Sequence, residues 1–169
     1  MTEVVLSEAD SVMKLIPKER IKMMSQNRVG KHANDFSYVD RNGKQHRMYD
    51  VNAPLLLIVF NNPDCSLCHH TEETMVGNML LHDLIKSGQL KVLAIAPDAN
   101  FKEWKKHKYP STWLTGIDKE GSIYKNRLYD IQRLPCIYLL DNDKQVLLKE
   151  ADYDRLRVYL EEHYAAFKR

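Results

Sequence analysis

The chain has 169 residues, 44% of them apolar and 28% charged, with a formal net charge of +2, enough for one domain with a real core. The small basic excess is densest over residues 102–108, where Glu103 and Trp104 interrupt it, which argues against a nucleic-acid surface; no run approaches the roughly 20 apolar residues of a membrane span. Three cysteines are too few for a disulfide scaffold, and residues 1–8 show neither the basic nor the apolar region of an export signal.

In chain order, residues 7–24 predict a helix with apolar Val12, Leu15, Ile16, Ile21, Met23 and Met24, divided at Pro17. A polar connector, 27–35, leads to alternating residues 36–39 and 44–48 around Asn42-Gly43, a strong hairpin signal. The unbroken apolar run 55–60 reads as a buried central strand. Residues 65–86 predict one helix, stopped by Ser87-Gly88, with Met75 and Met79 on a buried face. Residues 90–96 give a second central strand, parallel to the first through a right-handed crossover. Then come a short helix over 100–106, a short edge strand over 111–114 and a helix over 120–129. A hairpin of 136–140 with 145–149 follows, and a closing helix over 152–167. Trp104 and Trp113 are read as packing residues, and no internal repeat is present. The order predicts an α/β fold with a mixed central sheet and helices on both faces. It divides into an N-terminal helical extension, residues 1–34, and a domain over 35–169.

Chemistry concentrates at Cys65-Ser66-Leu67-Cys68, where a buried strand runs into the start of a helix. Two thiols at this spacing close a small disulfide ring, and the free N–H groups of a helix start favour a thiolate on the first of them. Thiol–disulfide exchange needs that thiolate, a second thiol to release the mixed disulfide, and access. Cys65 therefore reads as the exposed thiol and Cys68 as the less exposed one. Asp64 is expected to cap the helix, the alternative being a carboxylate that opposes the thiolate; His69 reads as a solvated helix-face residue that would support a thiolate if protonated, and Cys136 as a buried core thiol, with a third redox-accessible sulfur as the sharper reading. No organic cofactor and no metal is implied by a dithiol centre.

Three segments resemble the thioredoxin superfamily and, within it, the TlpA/ResA-like thiol–disulfide oxidoreductases of gut-type Bacteroidetes: the hairpin over 36–44, the strand 55–60 with Cys65-Ser66-Leu67-Cys68, and Tyr129 to Asp141 around Leu134-Pro135. The resemblance implies a thioredoxin-like fold and redox exchange with protein partners. Cys65 would attack and Cys68 would resolve. Pro135 would be a cis-proline holding an extended substrate backbone, with Leu134 beside the sulfurs. It also implies a periplasmic or envelope location, since these relatives are usually exported or lipid-anchored; a cytoplasmic location is the alternative. Many relatives carry a buried acid six residues before the first cysteine, where this chain has Val59; Glu72 and Glu73 are the remaining carboxylates near the pair. Three other readings use the same residues. Cys65-Ser66-Leu67-Cys68-His69 is also a c-type haem attachment pattern. Cys65, Cys68, His69 and His70 are soft metal ligands. The domain could also be a non-catalytic interaction module.

Overall fold

The computed structural model describes residues 17–165. The first half of the predicted 7–24 helix, with Val12, Leu15 and Ile16, and the far end of the closing helix at Phe167 lie outside the described residues. The elements, in order, are α1 (Lys18–Ser25), β1 (Ser37–Val39), β2 (Gln45–Arg47), β3 (Leu55–Phe60), α2 (Ser66–Val76), α3 (Met79–Lys86), β4 (Leu90–Ala96), α4 (Phe101–Lys106), β5 (Leu114–Ile117), α5 (Ser122–Lys125), β6 (Cys136–Asp141), β7 (Val146–Ala151) and α6 (Tyr153–Tyr164).

All seven strands form one sheet in the order β2-β1-β5-β4-β3-β6-β7. Strands β3, β4 and β5 are parallel, and β1, β2, β6 and β7 are antiparallel to their neighbours. The predicted mixed α/β sheet is therefore present. Every side chain of β3 is buried, because helices cover both faces of a central strand. Alternation splits the core in two. Leu57, Val59, Val92 and Ile137 pack under Met75 of α2, Leu84 of α3 and Leu156 of α6. Leu56, Ile58, Phe60, Ile95 and Tyr138 face the other way, toward Phe36, Ile123 and Tyr129.

Local chemistry explains where the observed elements depart from the predicted ones. The single helix predicted over 65–86 is two. Gly77 closes α2, and the side chain of Asn78 accepts the Leu81 N–H at 2.9 Å, which starts α3 with its own cap. The new helix has a different phase, so Met79 is 70% exposed while Met75 is buried. No residue of α1 is buried, so Met23 and Met24 do not form the expected core face. The 111–114 edge strand is instead β5, starting at Leu114 and lying inside the sheet between β1 and β4. That interior place is set by the β1–β2 hairpin, which pairs onto β5 through Val39 and Ile117. Gly116 is required there: a Cβ would stand 2.2 Å from the Tyr38 ring. The helix predicted over 120–129 shrinks to α5, ended at Asn126 and a left-handed Arg127.

Described residues of the N-terminal segment bond to the rest of the chain. Val29 and His32 form bridges with Val146 and Gln145 of the β6–β7 hairpin. Asn27 donates to the Leu128 carbonyl at 2.8 Å, and Arg20 pairs with buried Asp130 at 2.5 Å.

Candidate active site

The site forms where β3 ends. Asn61 extends the strand by one bond, its N–H meeting the Ile95 carbonyl at 2.9 Å. A turn over 62–65 follows, in which the Cys65 N–H reaches the Asn62 carbonyl at 3.0 Å and the Asp64 N–H reaches Asn62 Oδ1 at 2.9 Å. Cys65 is the N-cap of α2. Its Sγ accepts the backbone N–H of Cys68 at 3.2 Å, filling the place that a serine or aspartate oxygen takes in other caps. The helix is thus capped by the sulfur, and the expected cap, Asp64, is an exposed residue held in the preceding turn.

The two thiols occupy different environments. Cys65 is half-buried, and its thiol is directed at the Leu134 carbonyl 3.9 Å away. Cys68 is buried, 6% exposed. Burial, reinforced by hydrogen bonding and charge from Cys65, pushes its thiol up to about 12. Both are free thiols, as is Cys136.

Leu134 and Pro135 come from the loop entering β6, and the peptide bond between them is cis. They sit beside the dithiol and line, with Leu67, His70, Thr71 and Arg133, an open groove of about 420 Å³. Leu67 stands 56% exposed at its rim. Cys136 lines a neighbouring pocket of about 330 Å³ that shares Arg133, Pro135 and Asp152 with the groove. It pairs with Phe60 and belongs to the core on the sheet face opposite α2, and burial pushes its thiol up to about 12. Cys136 is thus 5% exposed, packed in the core on one side and bordering that pocket on the other.

His69 points away from the sulfurs. Its Nε2–H donates to the Pro63 carbonyl, and its ring meets His107 edge-on at 4.7 Å. That contact opens onto a polar cluster absent from the sequence reading. His107 Nε2 donates to Glu72 Oε2 at 3.0 Å. Tyr109 packs edge-on against His107 at 4.4 Å, and its hydroxyl donates to Asn61 Oδ1 at 2.5 Å. Arg41, from the turn between β1 and β2, lies over the Trp104 and Tyr109 rings and donates to the carbonyls of Lys105 and His107. The one sequence hint was Glu72, named as a carboxylate near the pair. Nothing local marks His107 or Tyr109, which only the crossover after α4 brings alongside α2. Among the described residues, no group of three or more His, Cys, Asp or Glu is placed to hold a metal ion, and no helix is long and apolar enough to cross a membrane.

No protein-family model matches the chain, and none of the curated proteins does. Solved structures do. A thioredoxin-like protein from Bacteroides caccae is 37% identical over 90% of this chain, with a TM-score of 0.84; the chain spans 56% of that protein. The C-terminal domain of an uncharacterised protein from Bacteroides fragilis is 37% identical, with 79% of this chain and 97% of that one covered and a TM-score of 0.77. The thioredoxin domain of a thiol-disulfide oxidoreductase from Bacteroides vulgatus shares the fold at 20% identity, with 80% of this chain and 96% of that one covered and a TM-score of 0.64.

Proposed function

The chain belongs to the thioredoxin superfamily, and from that premise we propose that it exchanges disulfides with partner proteins through Cys65 and Cys68. The observation that carries this reading is the inequality of the two thiols. Cys65 is half-buried, caps a helix with its sulfur and lies 3.9 Å from the carbonyl of Leu134, a residue that lines the groove; Cys68 lies buried one helical turn below it. In the proposed cycle the Cys65 thiolate attacks a sulfur of the partner's disulfide. A Cys65–partner bond forms, and the other partner sulfur leaves with the electron pair and takes a proton. Cys68 then loses its proton and attacks Cys65 Sγ; the Cys65–Cys68 disulfide forms and the partner's second thiol is released. The partner is reduced by two electrons and the dithiol is oxidised. Run backwards, the same steps oxidise a partner.

The groove supports the same assignment. A substrate segment lying along Leu134 and Pro135 would meet Cys65, because the Leu134 carbonyl is 3.9 Å from its sulfur. Leu67 and Arg133 would flank that segment on either side. This reading also takes the chain to act in the cell envelope, the location that the resemblance implies.

The test is trapping. Cys68→Ser leaves the attack intact and removes the release step, so partners accumulate as mixed disulfides on Cys65, visible as reductant-sensitive adducts in intact cells. Cys65→Ser should give none. Absence of adducts with Cys68→Ser sinks the reading.

A further inference from the structure

When Cys68 resolves the mixed disulfide it must lose a proton from a thiol that burial holds in its neutral form. The groups around it limit where that proton goes. On β3, Val59 packs in the apolar core and offers no acceptor. Asp64 and Glu73 are exposed, and Asp64 belongs to the turn before the helix. Glu72 stands four residues after Cys68 on α2, hence on the same helix face one turn away. It is a carboxylate with a side chain only 18% exposed, held at 3.0 Å by a His107 ring that is itself 16% exposed.

We propose that Glu72, positioned by His107, accepts the proton of Cys68 as that thiol attacks the mixed disulfide. This rests on the dithiol function proposed above. The step balances. The Cys68 S–H bond breaks, and its proton passes to Glu72 directly or over one bridging water. The sulfur electron pair forms the bond to Cys65 Sγ, and the partner's sulfur leaves with the pair of the broken bond. The proton then passes to solvent through the half-buried Glu72–His107 pair.

The groups facing the pair fit that role. His69, on the same helix, turns its N–H away to the Pro63 carbonyl and presents a ring edge to His107. Tyr109 closes the other side of His107 and is fixed by Asn61. Arg41, from the β1–β2 turn, holds the His107 backbone carbonyl and lies over the Tyr109 ring. Burial, and after it the charge of Glu72, pushes the Tyr109 hydroxyl up. His107 is a positioning residue in this scheme.

A coloured aromatic disulfide, dithiobis(nitrobenzoate), separates the two steps in a Cys136→Ala background. The first thiolate released reports attack by Cys65, and the second reports resolution by Cys68. Glu72→Gln should leave the first phase within about twofold and slow the second at least about tenfold at neutral pH. The slowed phase should then rise about tenfold per pH unit, following ionisation of the thiol alone. His107→Leu should slow the same phase, while His107→Gln, which keeps a donor toward Glu72, should restore most of it. Glu73→Gln is the control on the same helix. A second phase unchanged in Glu72→Gln, or both phases slowed alike, overturns the assignment to Glu72. A parent protein that releases only the first thiolate overturns the dithiol function instead, so the two failures are distinct.

Discussion

The inequality of the two thiols has a size that can be worked out and measured. The perturbation is alkylation of the fully reduced protein with iodoacetamide, each cysteine being read by peptide fragmentation. Against an ordinary thiol at 9.0, Cys68 is pushed up to about 12. At about pH 8 the ordinary thiol is roughly a tenth ionised and Cys68 roughly one part in ten thousand, a deficit of about a thousandfold. Part of this is offset, because a more basic thiolate is a better nucleophile; with a Brønsted slope of about 0.4–0.5, three units return roughly a factor of 16 to 32. The net expectation is a Cys68 that reacts about 30- to 60-fold more slowly than a free thiol such as glutathione, before its 6% exposure slows it further. Cys65, half-buried at the groove, should be modified first. Because burial is the larger cause and the neighbouring sulfur the smaller, Cys65→Ala should leave most of the slowness in place. A Cys68 that reacts within about threefold of glutathione would refute the argument that burial keeps the resolving thiol neutral.

Other consequences can be checked alongside. Gly116→Ala places a Cβ 2.2 Å from a buried Tyr38 ring that is stacked on His46, so denaturant unfolding should show a loss of about 1–3 kcal/mol or more; a loss below about 0.5 kcal/mol would mean the ring can move aside. Asn78→Ala removes the cap that starts α3 and its 2.9 Å bond to the Tyr153 hydroxyl, and should cost about 1–2 kcal/mol, with no loss if the two helices can merge. Cys68 and Cys136 are acids whose neutral form is favoured on folding. Stability of the reduced protein should therefore be unaffected by them below about pH 9 and fall as pH rises from there toward about 12, because the unfolded thiols release protons first. A urea midpoint that rises over that window contradicts this sign. The reduction potential of the Cys65–Cys68 pair should lie in the exchange range, roughly −120 to −270 mV; a value below about −300 mV would mark a structural disulfide.

The sequence made the catalytic frame readable because each signal was local. An apolar run long enough for a buried strand, two cysteines at a helix start and a Leu-Pro step before the next strand are all contiguous in the chain, and they fold next to one another by short connections. Asn42-Gly43 and the 141–144 turn marked both hairpins for the same reason. What could not be read depended on distant pairing. The interior place of β5 is decided by the N-terminal hairpin returning to it, and the start of α3 by whether Asn78 acts as a cap or as one more helical residue. Asp64 was expected to cap because oxygen caps are common, whereas here the sulfur of the next residue takes the N–H. Glu72 was visible only as one of two neighbouring carboxylates. What distinguishes it from Glu73 is His107, 35 positions further on.

The bridges from Val29 and His32 to the β6–β7 hairpin also bear on solubility. A strand at the rim of a sheet presents free backbone groups to any other strand it meets. On β7 those groups are occupied at its start: Gly30 N–H meets the Val146 carbonyl, and the Lys31 carbonyl takes the Val146 N–H, both at 2.9 Å. The segment ahead of the first hairpin thus works as a selvedge at one corner of the sheet, closing the start of β7 against self-association. A chain trimmed to begin at residue 35 would lose these bonds and leave the start of β7 open to pairing with its own copies.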